Sequence, residues 1–274
     1  MAAAVGALIV VAVGGLGAGA PTSDECPRIQ TGLESALELV QFNKEPEDGL
    51  RSIYSDATRA TQECPEMEGL AYVRVRTAEL GRGALIGLLP PDAPLELREL
   101  AAAAVERFPK SARILTVEAR VSGNAEVARR AVAADPKYPP ARVALADILV
   151  QSGDWRSAET ILANTPRLNA TNDGLVVWAL VKLEKGDARG ALAKANQALT
   201  GQHEEPIEPD ARDPRPMMRA HAVAARAALA LRRFNDAALH LGQANPQDPL
   251  VREMVQDPPP QLAKALRARK ARAQ

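Results

Sequence analysis

Few side chains in this chain could carry covalent or acid–base chemistry. Its 274 residues include three histidines and two cysteines. His203 stands beside Glu204 and Glu205, a trio of metal-ligating types, but in a proline-rich stretch that lacks the outer hydrogen bonds a metal site needs. His221 and His240 fall on the two helices expected for one hairpin, where they could approach each other, and the sequence suggests no acidic partner for them. Glu66 with Glu68, and Glu204 with Glu205, are carboxylate pairs that read as surface charge unless a cleft surrounds them. The sequence has no GxxxxGK[ST] phosphate loop, no GxGxxG, no GxSxG, no CxxC and no HExxH. No catalytic residue, metal site or cofactor is therefore implied, and function has to come from a scaffold.

Cys26 and Cys64 are each followed by proline. The first precedes the first predicted helix and the second ends the next one, so an antiparallel pairing of those helices brings the two sulfurs together. A disulfide is expected there, the alternative being two unrelated thiols. Such a bond belongs in an oxidising compartment. The uncharged run Ala2 to Ala20, ending Ala18-Gly19-Ala20, has the small-x-small form of an export signal, although no Lys or Arg precedes it. The alternatives are an uncleaved membrane anchor and a disordered leader. Localisation outside the cytoplasm, periplasmic or membrane-anchored, is the expectation.

Composition indicates what positions these residues. Hydrophobic residues make up 46% and aromatic residues 3%, so the apolar content is mostly Ala, Leu and Val. That favours thin helices in close approach over sheets. Thirty-four basic residues balance thirty-four acidic ones, which points to neither nucleic acid nor a membrane surface. From Ile29 onward the apolar spacing predicts helices over 30–44, 49–63, 66–80, 94–107, 111–121, 125–134, 140–152, 155–165, 173–185, 188–200, 215–232, 235–244 and 260–272. Ser122-Gly123-Asn124-Ala125 recurs as Ser152-Gly153-Asp154-Trp155 and as Lys185-Gly186-Asp187-Ala188. Arg232-Arg233-Phe234-Asn235 follows, with the glycine lost. A period in the low thirties with two helices per period is the signature of stacked helical hairpins.

The clearest unit, 140–166, has Leu145-Ala146 and Leu149, a Gly-Asp-Trp turn, Ala158, Leu162 and a closing Pro166. It resembles the tetratricopeptide repeat family. Weaker copies have Trp178-Ala179 with Ala191, Ala224-Ala225 with Ala237 and Leu241, and Ala131 to Pro136. The resemblance implies an all-α fold, a right-handed superhelical solenoid of antiparallel helix pairs. It divides the chain into an N-terminal segment 1–20, a helical region 21–110 with degenerate hairpins, repeats over 111–249, and a basic capping helix over 250–274. It also implies a partner protein or peptide in a concave groove lined by first helices. The expected groove residues are Arg113, Val117, Arg120, Val143, Asp147, Val150, Gln151, Val176, Leu180, Leu183, Glu184, Arg219, Ala222 and Arg226. Arginines at both ends would take carboxylates, although the family's basic clamp for a C-terminal carboxylate is not evident. Two other segments depart from the repeat. The acidic, proline-rich insertion 201–216 and the basic helix 261–274 are alternative contact sites. The remaining functional classes are a self-associating structural protein and an accessory subunit of an enzyme or export machine.

Overall fold

A computed structural model describes residues 25–40, 47–84, 93–165, 171–200 and 215–273. The leader 1–20, most of the acidic insertion, His203 and Pro166 lie outside them. The described residues form fourteen helices and no strand. In chain order they are α1 Cys26–Val40, α2 Glu47–Glu63, α3 Glu68–Ala84, α4 Ala93–Arg107, α5 Ala112–Ser122, α6 Ala125–Ala134 and α7 Pro139–Gln151. There follow α8 Trp155–Ala163, α9 Asn172–Glu184, α10 Ala188–Thr200, α11 Arg215–Ala230, α12 Phe234–Leu241, α13 Pro249–Gln256 and α14 Pro260–Ala273. The contacts divide the chain into two units, 1–144 and 145–274, with the division inside α7.

In the first unit α1 packs on α2 and α3, and α3 packs on α4 and α5. Leu33, Leu37, Ile53, Leu70, Val73, Leu97 and Ile114 form its core. Cys26 and Cys64 are joined there by a disulfide, their Cα atoms 5.9 Å apart. The bond ties the start of α1 to the residue after α2. Arg76 and Glu79, one turn apart on α3, form a buried ion pair at 2.5 Å with side chains 2% and 6% exposed. Each charge compensates the other's loss of water.

In the second unit, consecutive helices from α8 to α12 pack on one another, α13 packs on α11, and α14 covers α12. Small residues dominate where α11 meets α12: Ala222, Ala225, Ala228, Ala237 and Ala238 are buried, with Leu241, Val251, Met254 and Leu262 filling around them. Alanine at a crossing lets two helix backbones approach closely, and the larger side chains close the gaps left beside it.

The turns explain the recurring glycines. Gly123, Gly153 and Gly186 have φ of 69°, 85° and 78°. A Cβ at any of them would meet nothing within 4 Å, so the left-handed backbone, and not crowding, selects glycine. At Gly153 the turn is closed by Gly153 N–H to the Val150 carbonyl and Asp154 N–H to the Leu149 carbonyl. The same two bonds recur at Gly186–Asp187 and again at Arg232–Arg233. Arg232, at φ 59°, thus takes the glycine's place. This shifts the sequence alignment of that turn by one residue, because Arg233 and not Phe234 occupies the position of the N-cap aspartate. Asn124, Asp154 and Asp187 each accept backbone N–H groups of the following helix, whereas Arg233 provides no side-chain cap. The double substitution Arg232→Gly, Arg233→Asp relieves the left-handed strain and supplies the missing cap. It should raise the stability of this unit by roughly 1–2 kcal/mol in urea unfolding.

The helix α13 lies outside the set expected from apolar spacing. Its start is written in Asp248-Pro249: the Asp248 carboxylate accepts the Leu250 N–H, and Pro249 occupies the first turn. Val251 and Met254, three apart, are its buried positions.

Candidate functional site

The residues expected to line a groove separate into two groups. Val117, Val143, Val150, Val176, Leu180 and Ala222 are buried, with Val150 at 9% exposure the most open of them. They belong to the packing between helices. Arg113, Arg120, Asp147, Leu183, Arg219 and Arg226 are half-buried, and Gln151 and Glu184 are exposed.

The charged members already have partners within the chain. In the first unit Arg113 donates to Glu34 at 2.9 Å and lies over the Tyr72 ring, 3.7 Å from its centre. In the second unit Arg219 on α11 makes a two-pronged bond to Asp147 on α7, at 2.6 and 2.8 Å. Gln151, one turn along α7, donates to the same carboxylate at 3.0 Å. Burial alone would lower the Arg219 guanidinium, but Asp147, with Asp248 and Asp173 beyond it, outweighs that and holds it above its ordinary value. Arg226 pairs with Glu253 of α13 at 3.0 Å, an exposed contact of small energetic weight. The expected open arginines of the second unit are therefore engaged, and a partner carboxylate would have to displace Asp147 or Glu253 to reach them. Sequence spacing reveals neither acceptor. Asp147 is expected in the groove without a mate, and Glu253 lies on α13, outside the expected helices.

His221 of α11 and His240 of α12 do meet. Their Nδ1 atoms are 3.0 Å apart and their ring centres 5.3 Å apart. Burial lowers both imidazoles below their ordinary value. His240 depresses His221 further, and at His240 Asp236 opposes the effect while Arg233 adds to it. The acidic neighbour that the sequence did not suggest is thus Asp236, four residues before His240 and one helical turn away, a spacing that could have revealed it. The consequence for stability has a definite sign. The unfolded chain takes up protons at these rings near pH 6.5, before the folded chain does. Their contribution is complete above that pH and declines as pH falls through it towards the lower folded values. The denaturation midpoint of the second unit should drop between pH 7 and pH 5, and His221→Asn with His240→Asn should flatten that slope.

A cleft of about 600 Å³ in the first unit is lined by Glu68, Arg107, Phe108, Ser111, Arg113 and Tyr138 among others. Ser111 donates to the Glu68 carboxylate and accepts the Ile114 N–H, so its hydroxyl caps α5. No histidine lines the cleft to activate that hydroxyl as a nucleophile. Among the described residues no group of three or more His, Cys, Asp or Glu side chains could hold a metal, and no helix is long and apolar enough to cross a membrane.

Repeated turns and small-residue crossings define a helical-hairpin repeat protein. The tetratricopeptide repeat family model matches residues 125–181, which contain the whole of the unit 140–166. A tetratricopeptide repeat protein from Parabacteroides merdae ATCC 43184 superposes with a TM-score of 0.52. It covers 93% of this chain and 98% of its own, at 12% identity. TTC0263, a thermophilic tetratricopeptide repeat protein of Thermus thermophilus, gives a TM-score of 0.49 and 18% identity, over 73% of this chain and 99% of that one. The Cut9–Hcn1 hetero-tetramer of APC/C gives 0.40 and 13%, over 84% and 48%. No curated protein matches the chain. The all-α repeat fold is that of tetratricopeptide repeat structures, a fold that generally mediates protein–protein interaction in non-catalytic scaffolds.

Proposed function

We propose that this protein is a non-catalytic scaffold that binds a partner protein or peptide along the first helices of its repeats, within an exported or envelope-associated complex. The observation that carries the reading is the hairpin turn repeated with one geometry at Gly153, Gly186 and Arg232; stacked hairpins of this kind present their first helices side by side as one surface. In the second unit that surface offers Gln151, Leu183, Glu184, Arg226 and the Asp147–Arg219 pair. The available anchors are one aliphatic side chain among polar groups, with Asp147 and Arg219 paired to each other and Arg226 paired to Glu253. A partner that binds there gains from hydrogen bonds and apolar burial more than from net charge. Export is supported by the Cys26–Cys64 bond and by the uncharged run Ala2 to Ala20.

The test substitutes Gln151, Leu183, Glu184 and Arg226 together with alanine. Val150 is left intact because it is buried. Helical circular dichroism and melting cooperativity should stay near normal while binding to the native partner is lost. A photo-crosslinker at Leu183 should trap that partner, and one at the exposed Ala193 on α10 should not. Full binding by the quadruple variant excludes the first-helix surface. A crosslinked second copy of the chain, with size rising with concentration, would assign the surface to self-association.

A further inference from the structure

The His221–His240 pair is an unusual arrangement for a surface between two helices of a repeat. Two nitrogens face each other across 3.0 Å with the rings tilted by 40°. In the neutral pair one Nδ1–H donates to the other ring's Nδ1, so one lone pair is occupied by a proton and the other ring carries its hydrogen on Nε2. We propose that His221 and His240 form a two-nitrogen clip for a divalent transition-metal ion of the zinc and copper class, stapling α11 to α12.

The ring positions already suit such an ion. A metal held tetrahedrally by two imidazole nitrogens at about 2.05 Å places the ring centres roughly 5.2 Å apart. The centres here are 5.3 Å apart. The nitrogens need only separate to about 3.3 Å, with each ring reoriented by roughly 35° so that its lone pair points at the shared ion. The proton balance is simple. The ion takes both Nδ1 lone pairs and releases two of its waters, and the displaced Nδ1 proton is replaced by one at Nε2 of the same ring through solvent. Both rings stay neutral and no net proton is released.

The surroundings are consistent with a cation. Asp236 acts on His240 electrostatically in the favourable sense, and the opposing Arg233 guanidinium is itself held by Asp236 at 2.5 Å. With two protein nitrogens only, the remaining positions belong to water or to a donor from outside. The location also makes mechanical sense. This hairpin is the one whose turn has lost its glycine and whose second helix lacks a side-chain cap. An ion bridging one histidine from each helix would restrain a turn that is locally the least well specified of the three.

Zinc chloride is titrated into the full chain, and the imidazole nitrogens are followed by long-range proton–nitrogen NMR. The expected result is a saturable shift of both Nδ1 resonances, one zinc per chain, and a higher melting temperature. His221→Asn and His240→Asn should each lose that saturable binding, whereas His203→Ala should keep it. Copper chloride should give a two-nitrogen hyperfine pattern in the wild type. Unchanged Nδ1 signals at saturating zinc would overturn the proposal, and so would loss of binding in His203→Ala or its survival in the His221→Asn, His240→Asn double variant. The wild-type spectra decide the matter even where a variant folds poorly.

Discussion

Reducing the Cys26–Cys64 disulfide, or replacing both residues with serine, should lower the unfolding free energy of the first unit by about 2–4 kcal/mol. The two cysteines are 38 residues apart in sequence, so the bond closes a loop that holds α1, α2 and their connection. In the unfolded chain that closure removes conformational freedom, which in the chain-entropy account amounts to roughly 4 kcal/mol for a loop of this size. The Cα separation of 5.9 Å is ordinary for a disulfide. Cys64 is buried in the same core as Leu33, Ile53 and Leu70, so loss of the bond loosens a packed region and not a tail. Hydrogen exchange read peptide by peptide should show faster exchange in α1 and α2 after reduction, with α9 to α12 unchanged. Uniform protection before and after reduction would show that the bond contributes nothing to this hairpin.

Replacing Ala158 with leucine should cost about 1–3 kcal/mol through overpacking, and Ala146→Leu should do the same. Both alanines are fully buried. Each is the small member of a small–large pattern, with Leu145 and Leu149 beside one and Leu162 beside the other, all buried. Extra methylene groups there cannot reach solvent and must be taken up between packed helices. Arg226→Ala provides the contrast, because its partner Glu253 is 59% exposed and the pair lies at the surface. That change should move the urea midpoint by less than about 0.5 kcal/mol of stability. Similar costs for Ala158→Leu and Arg226→Ala would contradict the assignment of Ala158 to a tight crossing.

The repeats could be read from the sequence because alanine and glycine report on geometry that only they satisfy. Gly153 and Gly186 mark left-handed turns, and Ala146, Ala158, Ala179 and Ala191 are all fully buried. The groove was less legible for a physical reason. On α9, Leu175, Val176, Val177, Ala179, Leu180 and Val181 are all buried, and α7 is nearly as enclosed, with Val143 to Ala146 and Ile148 to Val150 buried. A helix covered on almost every side carries no apolar stripe, so offset from the Leu-Ala pair cannot separate a groove-facing valine from a packed one. The polar positions Asp147, Gln151 and Glu184 on these two helices keep some exposure. What they bond to could not be inferred, because Arg219 is 72 residues from Asp147 and no local rule connects them. The one-residue slip at Arg232 has a similar origin: with glycine absent, the turn is recognisable only by its hydrogen bonds.

The Asp147–Arg219 pair restricts how this array can change its length. Helical-repeat chains are modular when each hairpin touches only the next, since a unit can then be duplicated or deleted and the ends rejoined. Here a two-pronged bond runs from α7 to α11, past the hairpin α9–α10. Deleting that hairpin, or inserting a copy of it, would separate the carboxylate from a guanidinium that also has Asp173 and Asp248 about it. Any change in the number of repeats between α7 and α11 therefore breaks this side-chain pair. Gains and losses of hairpins over evolutionary time are expected outside that interval, and an engineered array built from this chain should be lengthened at its ends.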